Sequence, residues 1–255
     1  MPTRKVTAAV KTFSMLLSSA TLLVTSLISL QPSYSIEFPS TGNRGGPART
    51  TGGGVRGGDC RDGASQAHQV FSLTPLMPLN ISGEYQNTFV DDSVVMLFYV
   101  PDGVRNKYAE VYVEDPNTGE VVYESIFFLA TPPRIMQVSF PAFSEETGET
   151  LEMDKDYLWE FAIICDFRDR GLDIYTSGYT RRVAPPSQLP PTFNQLQNWT
   201  VASADSYAQA LIWQESLRIL DHVKCDSQAE WTEFLNSAGL DQAITQVSLE
   251  QCRAE

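Results

Sequence analysis

Between His68 and Val183 the chain is a succession of short apolar or alternating runs separated by turn residues, with no stretch of helical period among them. Segments of that length cannot bury an apolar face alone. They must pair side by side, and the sheets must stack. Residues 94–100 are apolar on both faces, which predicts a central strand. Residues 108–114 alternate, with Ala109, Val111 and Val113 on one side and Glu110, Tyr112 and Glu114 on the other. Asp115-Pro116-Asn117-Thr118-Gly119 is a turn signal leading into 121–129, so these runs predict a hairpin. Residues 134–140, 156–165 and 173–183, with a strand near 70–73, bring the expected total to about seven strands.

This pattern predicts an antiparallel β-sandwich of the immunoglobulin-like or fibronectin-like kind over residues 59–184. A local feature sharpens the expectation. Leu151 lies six residues before Tyr157, and Trp159, Phe161 and Ile163 follow at period two. A tyrosine at the start of such a strand, below an upstream leucine, looks like a tyrosine corner. Its hydroxyl is then expected to bond the backbone near Leu151 or Met153.

Pro185-Pro186 and Pro190-Pro191 mark a break, after which the period becomes helical. Residues 192–198 suit a short helix. A longer one is expected from a Ser203 cap to about Val223, with Tyr207, Ala210, Leu211, Leu217 and Leu220 as its stripe and Gln214 as a gap. A further helix is expected over 227–238, ended by Gly239, and a last turn over 241–247. Residues 185–255 are therefore read as a helical hairpin docked on the sandwich, making the fold mainly β with a C-terminal α part.

The N-terminus carries Arg4, Lys5 and Lys11 ahead of an apolar run, 13–30, interrupted only by Ser and Thr. Ser33 and Ser35 have the small-residue spacing that a signal peptidase reads. Residues 1–35 are thus expected to be a secretory signal, with an uncleaved anchor as the alternative. The mature chain is expected to begin near Ile36 and to be periplasmic or secreted, without a membrane span. Residues 36–58 are expected to be a flexible linker, since eight of the seventeen residues from 42 to 58 are glycine, with Arg44, Arg49 and Arg56 among them.

The four cysteines, Cys60, Cys165, Cys225 and Cys252, are an even number in a chain read as exported, which predicts two disulfides. Three pairings are possible. Cys60–Cys165 and Cys225–Cys252 are favoured because each pair falls within one predicted region.

The formal charge of −13 disfavours nucleic acid and anionic lipid as partners. Two histidines, His68 and His222, leave little room for imidazole chemistry. Motifs of serine hydrolases, zincins, P-loop proteins and dinucleotide-binding proteins are lacking. Carboxylates are the abundant reactive groups. Asp166, Asp169 and Asp173 share one connection and form the single calcium candidate, but Arg168 and Arg170 between them favour surface ion pairs. No cofactor is implied. Tyrosines on strands, Tyr99, Tyr112, Tyr175 and Tyr179, are the candidate binding surface, because flat aromatics stack on sugars and anchor protein interfaces.

Several motifs together are similar to one exported cyanobacterial family. They are Arg56-Gly57-Gly58-Asp59-Cys60, Leu73-Thr74-Pro75-Leu76-Met77-Pro78, Leu97-Phe98-Tyr99-Val100-Pro101, Ile163-Ile164-Cys165-Asp166 and Ala208-Gln209-Ala210-Leu211-Ile212-Trp213. The family they resemble is the domain of unknown function 928. The resemblance spans about residues 42–252 and implies the exported, two-part layout. It implies no activity and no catalytic residues. The sequence departs from the family pattern at Leu211, where glycine is expected before Ile-Trp. The functional expectation is a non-catalytic binding or interaction module of the cell envelope, with an envelope protein or glycan as partner. The alternatives are an envelope structural component and a carboxylate-based glycan hydrolase.

Overall fold

The structure is a computed structural model that describes residues 35–39, 73–80, 82–100, 104–130, 134–142, 151–187, 189, 199–250 and 252. Among the described residues there are two sheets and four C-terminal α-helices, within the compact unit Tyr34–Glu255. The strands are β1 (Thr74–Pro75), β2 (Tyr85–Phe89), β3 (Ser93–Tyr99), β4 (Lys107–Glu114), β5 (Val121–Leu129), β6 (Ile135–Pro141), β7 (Asp156–Ile164) and β8 (Ile174–Arg182). One sheet runs β1-β3-β6 and the other β2-β8-β7-β4-β5. All pairings are antiparallel except β2 with β8, which is parallel.

The inward residues of the two sheets meet in a shared core. Phe98 of β3 lies 5.6 Å from the Trp159 ring and 4.6 Å from the Phe161 ring of β7. Tyr123 of β5 stacks on Phe140 of β6 at 4.8 Å. Phe98, Trp159 and Phe161 are each fully buried, worth about 2–3 kcal/mol apiece in apolar transfer. Residues 94–100 are all buried because β3 is paired on both edges and packs against the five-stranded sheet on one face and α2 on the other. The β4–β5 hairpin turns at Asp115, whose carboxylate accepts from Asn117 N, and Gly119 takes a φ of +72°.

The sequence reading missed β2. Its alternation is clear in Tyr85, Asn87 and Phe89, but the inward middle position is polar. Asn87 is buried and bonds Thr180 Oγ1 and Gln214 Oε1 instead of packing as a hydrophobe. The strand lies close to β8 at Gly178, where a Cβ would meet Tyr85 O at 2.6 Å and Trp159 Cζ2 at 2.7 Å.

The helices are α1 (Val201–Gln209), α2 (Trp213–Val223), α3 (Gln228–Ser237) and α4 (Gln242–Glu250). The long helix expected from Ser203 to Val223 is two helices. Thr200 caps α1, exchanging bonds with Ser203 at the third helical position. The chain then breaks at Leu211, which has a φ of +62° and is 42 % exposed rather than part of an apolar stripe. The break has a tertiary cause. Thr88 on β2 donates its hydroxyl to Leu211 O (2.6 Å) and accepts from Trp213 N (3.0 Å), so the edge strand takes up backbone groups that a continuous helix would have used.

Gln214 is not a gap. It is fully buried, accepts from Val95 N (2.7 Å) and donates to Ser93 O (2.8 Å). Next to it, Glu215 Oε1 accepts from Val90 N (3.1 Å) and Asp91 N (3.2 Å), while Arg218 pairs with Asp91 (2.9 Å). Thus α2 satisfies the backbone of the β2–β3 turn with side chains. Among the described residues the buried Glu215 Oε2 has no hydrogen-bond partner, and burial pushes the carboxyl up to about 7 despite its backbone donors.

The expected linker differs at its start. In residues 35–39, Ile36 and Phe38 are buried and their neighbours face outward. Phe38 meets Trp213 edge-on at 5.0 Å, and Trp213 stacks on Phe234 at 4.6 Å. The glycine-rich composition begins only at Gly42, so it gave no reason to treat Ile36 and Phe38 as linker. Residues 40–58 lie outside the described residues, as do His68 and the short helix expected at 192–198.

Cys225 and Cys252 form a disulfide with Cα atoms 5.3 Å apart, tying the end of α2 to the residues after α4. Cys165 is also disulfide-bonded, and Cys60, its expected partner, lies outside the described residues. Among the described residues no helix is long and apolar enough to cross a membrane.

Candidate functional site

The five-stranded sheet has one face in the core and one facing out, set by alternation along each strand. Ala109, Val111 and Val113 of β4 point inward and are buried. Tyr108, Glu110, Tyr112 and Glu114 therefore point outward. Register carries this across the sheet. Tyr108 pairs with Phe128, Glu110 with Ile126 and Ala162, and Tyr112 with Glu124 and Glu160. Further along, Ala162 pairs with Tyr175 and Leu158 with Tyr179.

Three of the four tyrosines expected to form a surface, Tyr112, Tyr175 and Tyr179, thus share this outward face and are half-buried. Tyr99 does not belong to it. It lies on β3 of the other sheet, is 3 % exposed, and accepts from Arg134 at 3.2 Å. A strand apolar on both sides runs between two packed layers, so its tyrosine is a core residue.

The most exposed part of the face was not singled out from the sequence. Tyr108, Phe128 and Phe167 form an aromatic group, with Phe128 and Phe167 53 % and 59 % exposed. The Tyr108 ring lies 5.2 Å from Phe128 and 5.3 Å from Phe167. Ile126 is exposed beside them. The signal in the sequence was the run Ile126-Phe127-Phe128-Leu129: its strand, at a sheet edge, is apolar at positions of both parities, so one apolar set must face outward.

Carboxylates fill the middle of the face. Tyr112 is flanked across the strands by Glu124 and Glu160 and along its own strand by Glu110 and Glu114. Its hydroxyl donates to Glu114 at 2.8 Å, and that bond, with burial and the neighbouring acids, raises the phenol pKa. Glu160 is raised chiefly by burial and then by the Glu110 charge. Arg170 reaches in to pair with Glu110 at 2.6 Å and also with Asp173. Among the described residues the helices pack on the sheets chiefly through α2 against β2 and β3.

The three calcium candidates do not converge. Asp166 accepts from Arg168 N, Asp169 from Gly171 N, and Asp173 from Cys165 N at 3.0 Å. Each carboxylate holds its own loop backbone. Among the described residues no group of three or more His, Cys, Asp or Glu is placed to hold a metal ion. The Tyr157 hydroxyl accepts from Glu152 N at 3.1 Å, between Leu151 and Met153, while Leu151 and Trp159 are core residues. His222, in the last turn of α2, packs its ring 4.8 Å from Trp199.

Comparison with known proteins adds one informative match. The family model described as Domain of Unknown Function (DUF928) matches residues 51–249. No curated protein matches the chain. Among solved structures, a β-glucuronidase of Parabacteroides merdae with glycerol in its active site shows 14 % identity over 44 % of this chain and 12 % of that one, at a TM-score of 0.18. At that score the likeness carries no argument.

Proposed function

This chain belongs to the DUF928 family, and from that premise we propose that it is an exported, non-catalytic binding module of the cell envelope. Its docking surface is the outward face of the five-stranded sheet. The observation that carries the reading is the Tyr108–Phe128–Phe167 group, exposed among the described residues. Exposed aromatics that touch one another supply apolar area with little side-chain entropy to lose on binding. The carboxylates beside them favour a protein partner that brings basic groups to the same interface. A non-catalytic role is supported by how those acids are engaged, Glu110 with Arg170 and Glu114 with Tyr112, on an open sheet face.

We read the two sheets as immunoglobulin-like. Strand orders β1-β3-β6 and β5-β4-β7-β8-β2 correspond to A-B-E and C′-C-F-G-A′ of that fold, and Tyr157 then begins the F-like strand, where a tyrosine corner belongs. On that reading the open surface is the G-F-C face. The test is retention of the purified chain on an envelope fraction, compared with a variant carrying Tyr108→Ser, Phe128→Ser and Phe167→Ser. The variant is expected to bind at least tenfold more weakly with unchanged melting. Equal saturable retention of both proteins overturns the proposal.

A further inference from the structure

Residues 35–39 run extended along α3, and the period-two alternation decides which of them matter. Ile36 is fully buried and Phe38 nearly so, within the aromatic group formed with Trp213 and Phe234. The segment is also pinned by hydrogen bonds. Phe38 N donates to Ser237 Oγ at 2.8 Å, and the Ser35 hydroxyl donates to Glu233 Oε1 at 2.7 Å. Ser35 is itself exposed. The core of the helical layer therefore begins one residue after the small-residue pair Ser33 and Ser35.

We propose that the Ser35–Ile36 bond is a processing site, and that the N-terminus created there is a structural element of the folded protein. This rests on the export reading above. A signal peptidase hydrolyses the bond with one water. The C–N bond breaks, the water hydroxyl joins the Ser35 carbonyl, and the resulting carboxylate leaves with the signal. Its proton and the remaining water hydrogen pass to the Ile36 nitrogen, which becomes an ammonium. By backbone geometry that nitrogen lies on the order of 3–4 Å from the Ser35 hydroxyl, so Glu233 stands within roughly 6 Å of the new positive charge, a range in which opposite charges pair. Glu37 lines the same groove and is the other carboxylate available to it. Cleavage exchanges a neutral hydroxyl partner of Glu233 for a cationic one. It also has an order imposed on it. With Ile36 buried, a peptidase cannot seat the bond in the folded chain, so cleavage precedes closure of α3 over the segment.

The experiment compares two purified chains, one beginning at Ile36 and one at Tyr34, each with Glu233 and with Glu233→Gln. The chain beginning at Ile36 is expected to melt about 2 °C higher, an ion pair's worth for a domain of this size, and Glu233→Gln should erase the difference. Acetylating the Ile36 amine should erase it equally, without altering the helix. Equal melting of the two parent chains overturns the proposal, as does a difference that survives both Glu233→Gln and acetylation. Mass spectrometry of the native protein is expected to find Ile36 first. An exported chain with another first residue overturns the processing site alone, whereas full-length protein retained in the cell overturns the export reading, leaving the melting comparison to judge the N-terminal pairing.

Discussion

Replacing Glu215 by glutamine should make folding stability markedly less dependent on pH between about 4.5 and 7. The wild-type carboxyl, in the first turn of α2, is buried, accepts from Val90 N and Asp91 N through Oε1, and has no partner for Oε2 among the described residues. Burial, with the nearby Asp91 charge, raises its pKa from 4.5 to about 7. A group whose folded pKa lies above its unfolded value binds its proton more tightly in the fold. Its contribution is therefore fully present below pH 4.5 and is lost as pH rises through 7. Each tenfold gain in proton affinity is worth about 1.4 kcal/mol, so the loss across the window is roughly 3 kcal/mol. Asp115 has the opposite sign and a separate window. Lys155 and Asn117 N hold it down to about 2, so its contribution is lost only as pH falls through that value. Glu215→Gln keeps the Oε1 acceptor and removes the charge. Urea unfolding at half-unit steps from pH 4.5 to 8 gives the two profiles. The wild type should lose stability relative to the variant by roughly 3 kcal/mol over that range. Parallel profiles would overturn this expectation, because they would mean that the buried carboxyl titrates alike in the folded and unfolded chains.

Three further outcomes follow from particular residues. Leu211→Gly should stabilise the protein by about 0.5–1 kcal/mol, raising the melting temperature by about 2 °C, because a left-handed backbone penalises leucine and the side chain is largely exposed; a loss of stability would show that the leucine side chain contributes more than its conformation costs. Tyr157→Phe should cost about 1–2 kcal/mol by leaving Glu152 N without its acceptor, whereas Tyr112→Phe should stay within about 0.5 kcal/mol, both read by denaturant unfolding. Replacing Cys225 and Cys252 together by serine should cost about 3 kcal/mol through a 27-residue separation, and unchanged melting would count against the bridge.

The parts of the fold legible in the sequence are those where one physical rule decides. Alternation in β4 and β7 and the Asp115–Gly119 turn mark the large sheet, because period-two burial alone sets which side chains there face the core. What escaped was what depends on polar groups finding partners far along the chain. Asn87 puts a polar residue at the inward middle position of β2, and Thr180 and Gln214, which satisfy it, lie about a hundred residues away. Gln214 reads as a gap in an apolar stripe, and nothing marks Glu215 as a core residue, because their partners, at Val90, Asp91, Ser93 and Val95, lie more than a hundred residues away. Leu211 is a good helix former in isolation, and Thr88 is what ends the helix there. The proposed binding surface is half legible. Tyr112, Tyr175 and Tyr179 share a face by parity, while Tyr99 was indistinguishable from them until its strand was placed between layers, and the Phe167 contribution comes from a loop whose path no periodicity encodes.

A photo-activated cross-linking residue placed at Phe128, on the purified protein beginning at Ile36, tests the open sheet face itself when illuminated with the envelope fraction. The same residue at Thr118, in the exposed β4–β5 turn, is the reference. If the face is a docking surface, position 128 yields one discrete adduct, competed away by unlabelled protein and diminished by salt, and position 118 yields none. Equal, uncompeted labelling from the two positions would contradict it.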